Sequence, residues 1–194
     1  FDALRPWGDA FARISSSVPS PRGVNVPVVP YIAPRMGEPG KAYGTGLRVQ
    51  LGIPVGSTVF CSYGGQDAFN TRFVQEVVCE LGAGQPEMWF VFANHKPFCR
   101  RPAARVRHLP NLATQLEKVT FIATCDAMLH ARQEGETFGM AVAEFSMSDK
   151  PILVYSGQKD KAHIQILGPK AIVYMNGLSL KQRLLHFNRT AAAA

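Results

Sequence analysis

The sequence lacks any segment with the features of a membrane span or a signal peptide. No apolar stretch approaches the roughly 20 residues that a membrane-spanning helix needs, and no apolar core follows a basic start in the way that signal peptides require. The chain begins at Phe1 rather than Met and closes in four alanines. We therefore interpret both ends as incomplete, so that a targeting peptide missing from this sequence is compatible with it.

Cysteine is scarce, and its pattern argues against the common cysteine sites. The four cysteines are widely spaced, with neither a C-x-x-C pair nor a histidine partner at zinc-binding spacing. Isolated cysteines in apolar surroundings are usually buried thiols. We therefore expect no metal site and an intracellular, reducing compartment, either the cytoplasm or an organelle matrix. The cysteines are Cys61, Cys79, Cys99 and Cys125.

Acidic side chains are in the minority, with 14 Asp and Glu against 21 Lys and Arg among 194 residues and a formal net charge of +7. Part of the excess lies in residues 95–108. A basic loop can hold the phosphates of a nucleotide or of a nucleic acid such as RNA, and a solvated surface loop explains the same charges. The candidate phosphate or RNA contacts are Lys96, Arg100, Arg101, Arg105 and Arg107.

Proline and glycine are concentrated near the start of the chain. Seven of the 14 prolines fall in residues 1–40, and residues 34–46 contain four glycines. The apolar runs between them are too short and too interrupted for central strands. We predict an extended Pro/Gly-rich arm over residues 1–45, which contacts other protein chains or is the trailing end of an amino-terminal domain. A folded domain over residues 46–187 and a frayed tail over 188–194 follow.

From residue 47 onward, short apolar strands alternate with amphipathic helices. Strands that are apolar throughout, such as residues 88–92, predict a parallel sheet with helices on both faces, which is a Rossmann-like α/β domain. The hydrophobic fraction of 46% supports a core of that size. In such sheets ligands bind beyond the carboxyl ends of the strands. The sequence therefore predicts a binding rim built from the loops at 62–67, 93–97 and 131–137.

The most informative segment is residues 130–145, where a strand ends, a polar loop follows and a helix begins near Phe138. Thr137 is placed to cap that helix, and its free amides would suit an anion or the hydroxyls of a sugar. Glu144 lies about two turns further on, among apolar residues. A carboxylate in that position must be partnered or must face a cleft.

This segment resembles a known family. Glu136 and Glu144 have E-x7-E spacing, and the run E-T-F-G-M-A-V-A-E-F is similar to the E-G-F-G-L…E-A signature of family 4-type retaining glycosyltransferases of the GT-B fold. The similarity extends to residues 47–54, 125–130 and 149–154, and it covers roughly residues 47–186 in all. Loosely similar sequences occur among giant-virus sugar transferases. The resemblance implies that the chain is the carboxy-terminal, nucleotide-sugar-binding half of such an enzyme.

The resemblance also implies a role for each matched residue. Glu136 would be the catalytic residue near the transferred sugar, and Glu144 would accept hydrogen bonds from the ribose hydroxyls. The nucleotide-sugar would be a substrate, with no cofactor and no metal. The remaining donor-binding positions would be Gly64 and Gly65 at the diphosphate, Asn94 at the base, and Phe138, Gly139 and Met140 at the sugar hydroxyls.

The sequence departs from the family at the diphosphate. The family places an arginine and a lysine after the first strand, whereas residues 62–70 contain no cation and include Asp67. The family also needs an amino-terminal domain that binds the acceptor. Two interpretations therefore stay open: the donor domain of a hexosyl-type glycosyltransferase, and a catalytically inactive accessory subunit with a structural role in a large protein or ribonucleoprotein assembly.

Overall fold

A six-stranded parallel sheet lies at the centre of this computed structural model, which describes residues 12–20, 25–34, 36–37 and 45–189. Eight strands follow one another along the described chain: β1 Thr58–Tyr63, β2 Met88–Ala93, β3 Val106–Leu109, β4 Ala127–His130, β5 Gly135–Glu136, β6 Ile152–Tyr155, β7 Asp160–Lys161 and β8 Ala171–Tyr174. The large sheet has the order β3-β2-β1-β4-β6-β8, and β5 pairs with β7 in a separate parallel ribbon. The prediction of a Rossmann-like parallel sheet is therefore confirmed.

Helices cover both faces of this sheet. They are α1 Thr45–Gln50, α2 Arg72–Gly84, α3 Gln115–Thr124, α4 Met140–Ser146, α5 Ala162–Leu167 and α6 Gly177–Leu185, and a short 3-10 turn covers Gly168–Lys170. Capping boxes begin α3 and α6, because Thr114 and Asn176 each exchange hydrogen bonds with the residue three positions later.

The core has two layers because both faces of each central strand are buried. Every residue of β2 is buried, which is why its sequence shows no alternation of polar and apolar side chains. Phe60 and Phe90 pack with the apolar residues of α2 and α6 on one face, whereas Val59 and Trp89 pack with those of α3 and α4 on the other.

The structure corrects the expectation of free cysteines. Cys61 in β1 is joined to Cys125 directly after α3, and Cys79 in α2 is joined to Cys99 in the loop after β2. The cysteines expected to be buried thiols are therefore paired, and the argument from free thiols for a reducing compartment is lost. No helix within the described ranges is both long enough and apolar enough to cross a bilayer.

Only parts of the predicted arm and tail lie within the described residues, since residues 1–11, 21–24, 35, 38–44 and 190–194 lie outside them. In the described parts, a bridge joins Arg13 to Val28, and Ser17 Oγ donates to Asp160 Oδ1 at 3.0 Å. At the other end, Arg189 lies 3.3 Å from the Asp126 carboxylate. The domain boundaries stay a prediction.

Candidate functional site

The topology places a crevice between the carboxyl ends of β1 and β4. Successive connections run in opposite directions from these two strands, and parallel sheets bind ligands at such a switch point. Two loops form its walls, and they are bonded together at their bases. The amides of Asn70 and Thr71 both donate to the carbonyl of Ala131, at 3.2 and 3.0 Å. The amide of Gln133 donates to Asn70 Oδ1 at 2.7 Å.

One wall is the glycine-containing loop after β1. The Gly64 carbonyl accepts a 2.7 Å hydrogen bond from Asn94 Nδ2, and Asn94 holds a left-handed conformation with φ of 59° that asparagine tolerates. A side chain at Gly65 would meet nothing within 4 Å, so the space beside it is open. The structure therefore brings together three of the residues that the sequence predicts for the donor.

His95 fixes the same loop, a role that sequence analysis missed. Its ring is 5% exposed; Nδ1 lies 3.0 Å from the Gly65 carbonyl and Nε2 lies 3.2 Å from Ser62 Oγ. A carbonyl only accepts, so Nδ1 donates and Nε2 accepts from the serine hydroxyl. Burial lowers the pKa of His95 to about 4, against a smaller upward effect of the Gly65 carbonyl. The ring is therefore neutral at pH 7.

The basic stretch after β2 lies on the β3 side of the sheet. Lys96 pairs with Asp67 at 2.9 Å, so its charge is offset at the edge of the glycine-containing loop. The guanidinium of Arg107 stands 5.2 Å from the centre of the Trp89 ring, and Arg105 donates to the Ala83 carbonyl. A contact of this stretch, which also holds Arg100 and Arg101, with RNA or phosphate stays a prediction.

The opposite wall carries Glu136, and its carboxylate is held by two neighbours. Arg132 Nη1 lies 3.2 Å from both carboxylate oxygens, and His130 Nε2 lies 3.4 Å from Oε1. Burial alone would raise the pKa of Glu136, but the His130 hydrogen bond and the charge of Arg132 outweigh it and lower that pKa. Glu136 is therefore ionised at neutral pH beside the carboxyl end of β4. Among the described residues, no group of three His, Cys, Asp or Glu side chains could hold a metal ion.

The start of α4 differs from the prediction. Gly139, not Thr137, is the N-cap residue, and the helix begins at Met140. Gly139 has a φ of +87°, and a Cβ on it would lie 3.2 Å from Cβ and Cγ of Glu136. This position therefore needs glycine both for its backbone conformation and for the close approach of Glu136. The ring of Phe138 packs against Tyr31, with 6.1 Å between ring centres.

Glu144 is buried in α4 and pairs with a lysine from another helix. It is 1% exposed, and its Oε1 lies 3.1 Å from Lys118 Nζ of α3. Its Oε2 is buried without a hydrogen-bond partner, and burial raises the pKa of this carboxyl. The sequence predicts a partner for a carboxylate among these apolar residues. That partner is Lys118, which sequence analysis did not single out. The contact of Glu144 with a ribose stays a prediction.

Replacing Lys118 should destabilise the domain, because it leaves the buried Glu144 carboxylate without its charged partner. We expect Lys118→Met to lower the free energy of unfolding at pH 7 by about 2 kcal/mol, less than for a fully buried pair because Lys118 is 32% exposed. The loss should shrink on acidification, since protonation of Glu144 removes the unpaired charge. Urea denaturation measures it, with Glu144→Gln added to Lys118→Met as the control that restores most of the stability. Equal stability of wild type and Lys118→Met would contradict the burial argument.

Comparison with known proteins identifies the fold and no closer relationship. No protein-family model matches the sequence, and neither does any curated protein. Similar structures are HepE from Anabaena in complex with UDP and glucose (16% identity, TM-score 0.57, 77% of this chain and 44% of that one) and TarM (11%, 0.65, 88% and 34%). WaaG, a glycosyltransferase involved in lipopolysaccharide biosynthesis, is also similar (17%, 0.54, 75% and 43%).

These neighbours define the class of fold. The six-stranded parallel sheet with helices on both faces has the architecture of the Rossmann-like half of a GT-B fold, as in these neighbours. The chain spans less than half the length of each of the three proteins. The likeness shows the architecture alone, because all three sequences are under 25% identical to this one.

Proposed function

We propose that this chain binds the nucleotide-sugar donor of a retaining glycosyltransferase of the family 4 type, with Glu136 at the transferred sugar. The observation that carries the proposal is the ionised Glu136 carboxylate, held by His130 and Arg132 at the switch point of the sheet. The E-x7-E spacing of Glu136 and Glu144 supports the family assignment. HepE, which shares the fold, has been determined with UDP and glucose, and with UDP-glucose.

A carboxylate at this position suits the chemistry of sugar transfer. Sugar hydroxyls donate hydrogen bonds to an ionised carboxylate, and such charge-assisted bonds are stronger than neutral ones. Glycosyl transfer also develops positive charge at the anomeric carbon and ring oxygen, as in glycoside hydrolysis. A negative charge fixed near the sugar stabilises that transition state more than the ground state.

The other contacts of the donor follow from the walls of the crevice. We propose that Gly64 and Gly65 admit the diphosphate, that Asn94 borders the base, and that the backbone from Phe138 to Met140 meets the sugar hydroxyls. The unpartnered Oε2 of Glu144 supports a contact with the ribose. That contact requires Lys118, which partly covers the carboxylate, to move aside or to join the diphosphate.

Arg132 is the cation that we propose for the diphosphate. The loop after β1 contains no Lys or Arg, and Lys96 is paired with Asp67. Arg132 follows β4 at the crevice and is 42% exposed. Its partners Glu134 and Glu136 hold the guanidinium in place without burying it, so a phosphate can compete for it.

The binding experiment is a calorimetric titration of the chain with UDP- and GDP-sugars and with the free nucleotides at moderate salt. We expect saturable binding of at least one donor. Glu136→Gln should weaken the nucleotide-sugar relative to the free nucleotide, because only the sugar meets the carboxylate, whereas both ligands compete with Glu136 for Arg132. The control is Glu80→Gln, which changes an exposed glutamate of α2 that pairs with Lys181. The absence of binding at millimolar ligand, with the domain folded, would contradict the proposal.

Arg132→Gln should have a different signature. We expect it to weaken the free nucleoside diphosphate and the nucleotide-sugar equally, by about tenfold, which is the loss of one charge-assisted hydrogen bond. The same titration measures both ligands. Arg183→Gln is the matched control, since Arg183 is an exposed arginine in the last turn of α6, away from the crevice. Unchanged affinity in Arg132→Gln would remove this residue from the diphosphate site.

A second candidate function is a structural role in a larger assembly. The described segment 25–34 presents apolar side chains to solvent, among them Val29 at 59%, Tyr31 at 58% and Ile32 at 89% exposure. Exposed apolar residues grouped in one segment favour a contact with another protein surface. A folded chain without donor binding would favour this accessory role over the enzyme.

A further inference from the structure

A row of three polar side chains leads from the interior of the domain to the proposed sugar site. Gln158 is 2% exposed and its Nε2 lies 2.8 Å from Nδ1 of His130. His130 is 5% exposed, and its other ring nitrogen, Nε2, lies 3.4 Å from Oε1 of Glu136. The row therefore begins at a buried amide and ends at the carboxylate to which the proposed function assigns the sugar.

We propose that Gln158 positions Glu136 through His130, by fixing the imidazole in the tautomer whose Nε2 hydrogen faces the carboxylate. This inference rests on the proposed function of Glu136. Gln158 and His130 are positioning residues, because they act on the sugar through Glu136.

The direction of each hydrogen bond in the row follows from the chemistry of the groups. A glutamine amide nitrogen only donates, so Nδ1 of His130 must accept and carries no hydrogen. The hydrogen of the neutral ring is then on Nε2, and the Glu136 carboxylate, which only accepts, receives it. If the amide of Gln158 were reversed, the Nε2 lone pair of a neutral ring would face the carboxylate and repel it.

Gln158 gives up a hydrogen bond in this orientation. Its Oε1 is buried and has no hydrogen-bond partner in the described structure. Buried polar groups without partners are uncommon and call for a specific reason. The reason we infer is the requirement that its amide hydrogen, and not its oxygen, face His130.

The surroundings of His130 leave its ring little freedom. The hydroxyl of Tyr174 donates to the His130 carbonyl at 2.7 Å, which fixes the backbone at the end of β4. The ring of His163 lies against it, with 4.7 Å between the ring centres. Burial lowers the pKa of His163 to about 4, so this neighbour is neutral at pH 7. The charged side chain in contact with the His130 ring is Glu136, which in turn pairs with Arg132.

We infer that His130 keeps Glu136 in place while a donor binds. In the proposed function Arg132 turns from Glu136 toward the diphosphate when a donor arrives. His130 is then the group that still holds Oε1, so Glu136 keeps its orientation while it loses its cation. Arg132 shares Oε1 with His130 and also contacts Oε2, so its departure leaves the Nε2 contact with Oε1 in place.

The direct test is nitrogen NMR of the histidine side chains in the wild-type chain at pH 7. We expect the His130 signals of a neutral ring with the hydrogen on Nε2 and none on Nδ1. Gln158→Met should give a mixture of tautomers, and Gln158→Glu should convert the ring to the imidazolium form, because a carboxylate there accepts from Nδ1. Gln75→Met is the control, since Gln75 donates to the Phe69 carbonyl instead. A hydrogen on Nδ1 in the wild type would overturn the proposal, even if both variants failed to fold.

A second measurement separates this proposal from the proposed function. We expect Gln158→Met to raise the pKa of Glu136 in a carbon-detected NMR titration, which requires no donor. In calorimetry it should weaken a nucleotide-sugar about threefold to tenfold and leave the free nucleotide unchanged. If no ligand binds the wild type but the tautomer and the Glu136 titration behave as expected, the proposed function fails and the positioning row stands. If donors bind and the Glu136 titration is unchanged in Gln158→Met, the positioning role fails alone.

Discussion

Removing the Cys61–Cys125 disulfide is expected to lower the free energy of unfolding by about 4 kcal/mol. The bond closes a loop across a sequence separation of 64, and the loss of loop entropy in the unfolded chain predicts that magnitude. The Cys79–Cys99 bond, with a separation of 20, should contribute about 3 kcal/mol. Each value is a large part of the roughly 5–15 kcal/mol that stabilises a typical domain.

The two bonds can be compared by urea denaturation of paired cysteine-to-alanine variants. Alanine is preferable to serine, because Cys61 and Cys125 are fully buried and a hydroxyl there would lack a partner. The Cys61→Ala/Cys125→Ala chain should be the less stable of the two, and a reductant should leave the fourfold alanine variant unchanged. Four free thiols in the oxidised, folded chain would refute the pairing, and equal stability with and without reductant would refute its energetic role.

The Cys79–Cys99 bond also matters for the site. It ties the loop that follows β2 to α2, and the same loop carries His95, whose ring holds the Gly65 carbonyl. Cleavage of this bond should therefore loosen one wall of the crevice before the sheet unfolds. The site and the stability of the domain are linked through these residues.

The sheet could be predicted from sequence because its signal is local. The six residues of β2 are all buried, so an uninterrupted apolar run marks the strand. A segment with helical spacing follows five of the six strands of the large sheet, β2 being the exception. The position of the crevice follows from the same reasoning, since parallel strands bring their carboxyl ends to one edge.

Most of the missed features depend on residues that are far apart in the chain. Lys118 reaches Glu144 from a different helix, and Gln158 reaches His130 from the loop after β6. Cysteine pairing likewise cannot be deduced from spacing, because four cysteines allow three connectivities. The prediction that Thr137 caps α4 failed for another reason. Threonine is a common N-cap residue, but the close approach of Glu136 requires glycine at 139, and Gly139 is the N-cap.

Acidification is the second change with a large expected effect. The pKa values of His95 and His163 are about 4 in the folded chain, against 6.5 for the ordinary side chain, and burial is the main cause for both. The unfolded chain therefore binds more protons than the folded chain between pH 6.5 and 4. The two histidines therefore leave the free energy of unfolding at its full value above pH 6.5, and that free energy falls as the pH drops toward 4.

Protonation of each histidine should lower the free energy of unfolding by roughly 3 kcal/mol, since a pKa difference of one unit corresponds to about 1.4 kcal/mol. The lowered pKa of Glu136 adds to the loss of stability at lower pH. The raised pKa of Glu144 opposes that loss, because burial favours the protonated form of this carboxyl in the folded chain. Together the two histidines account for about as much free energy as a marginal domain possesses. We expect acid unfolding to begin above pH 4.

Two histidine variants test this assignment by urea denaturation at pH 7, 5.5 and 4. His163→Phe should remove about half of the pH dependence and should lower the free energy of unfolding at pH 7 by about 1 kcal/mol, because the ring loses its hydrogen bond with the Glu136 backbone. His95→Gln should also flatten the profile and should cost stability at pH 7, since it disturbs the contacts with Ser62 and Gly65. An unchanged acid profile in His163→Phe would mean that this ring is not the group that resists protonation. If the two variants flatten the profile additively, the two buried rings contribute independently to the acid sensitivity of the domain.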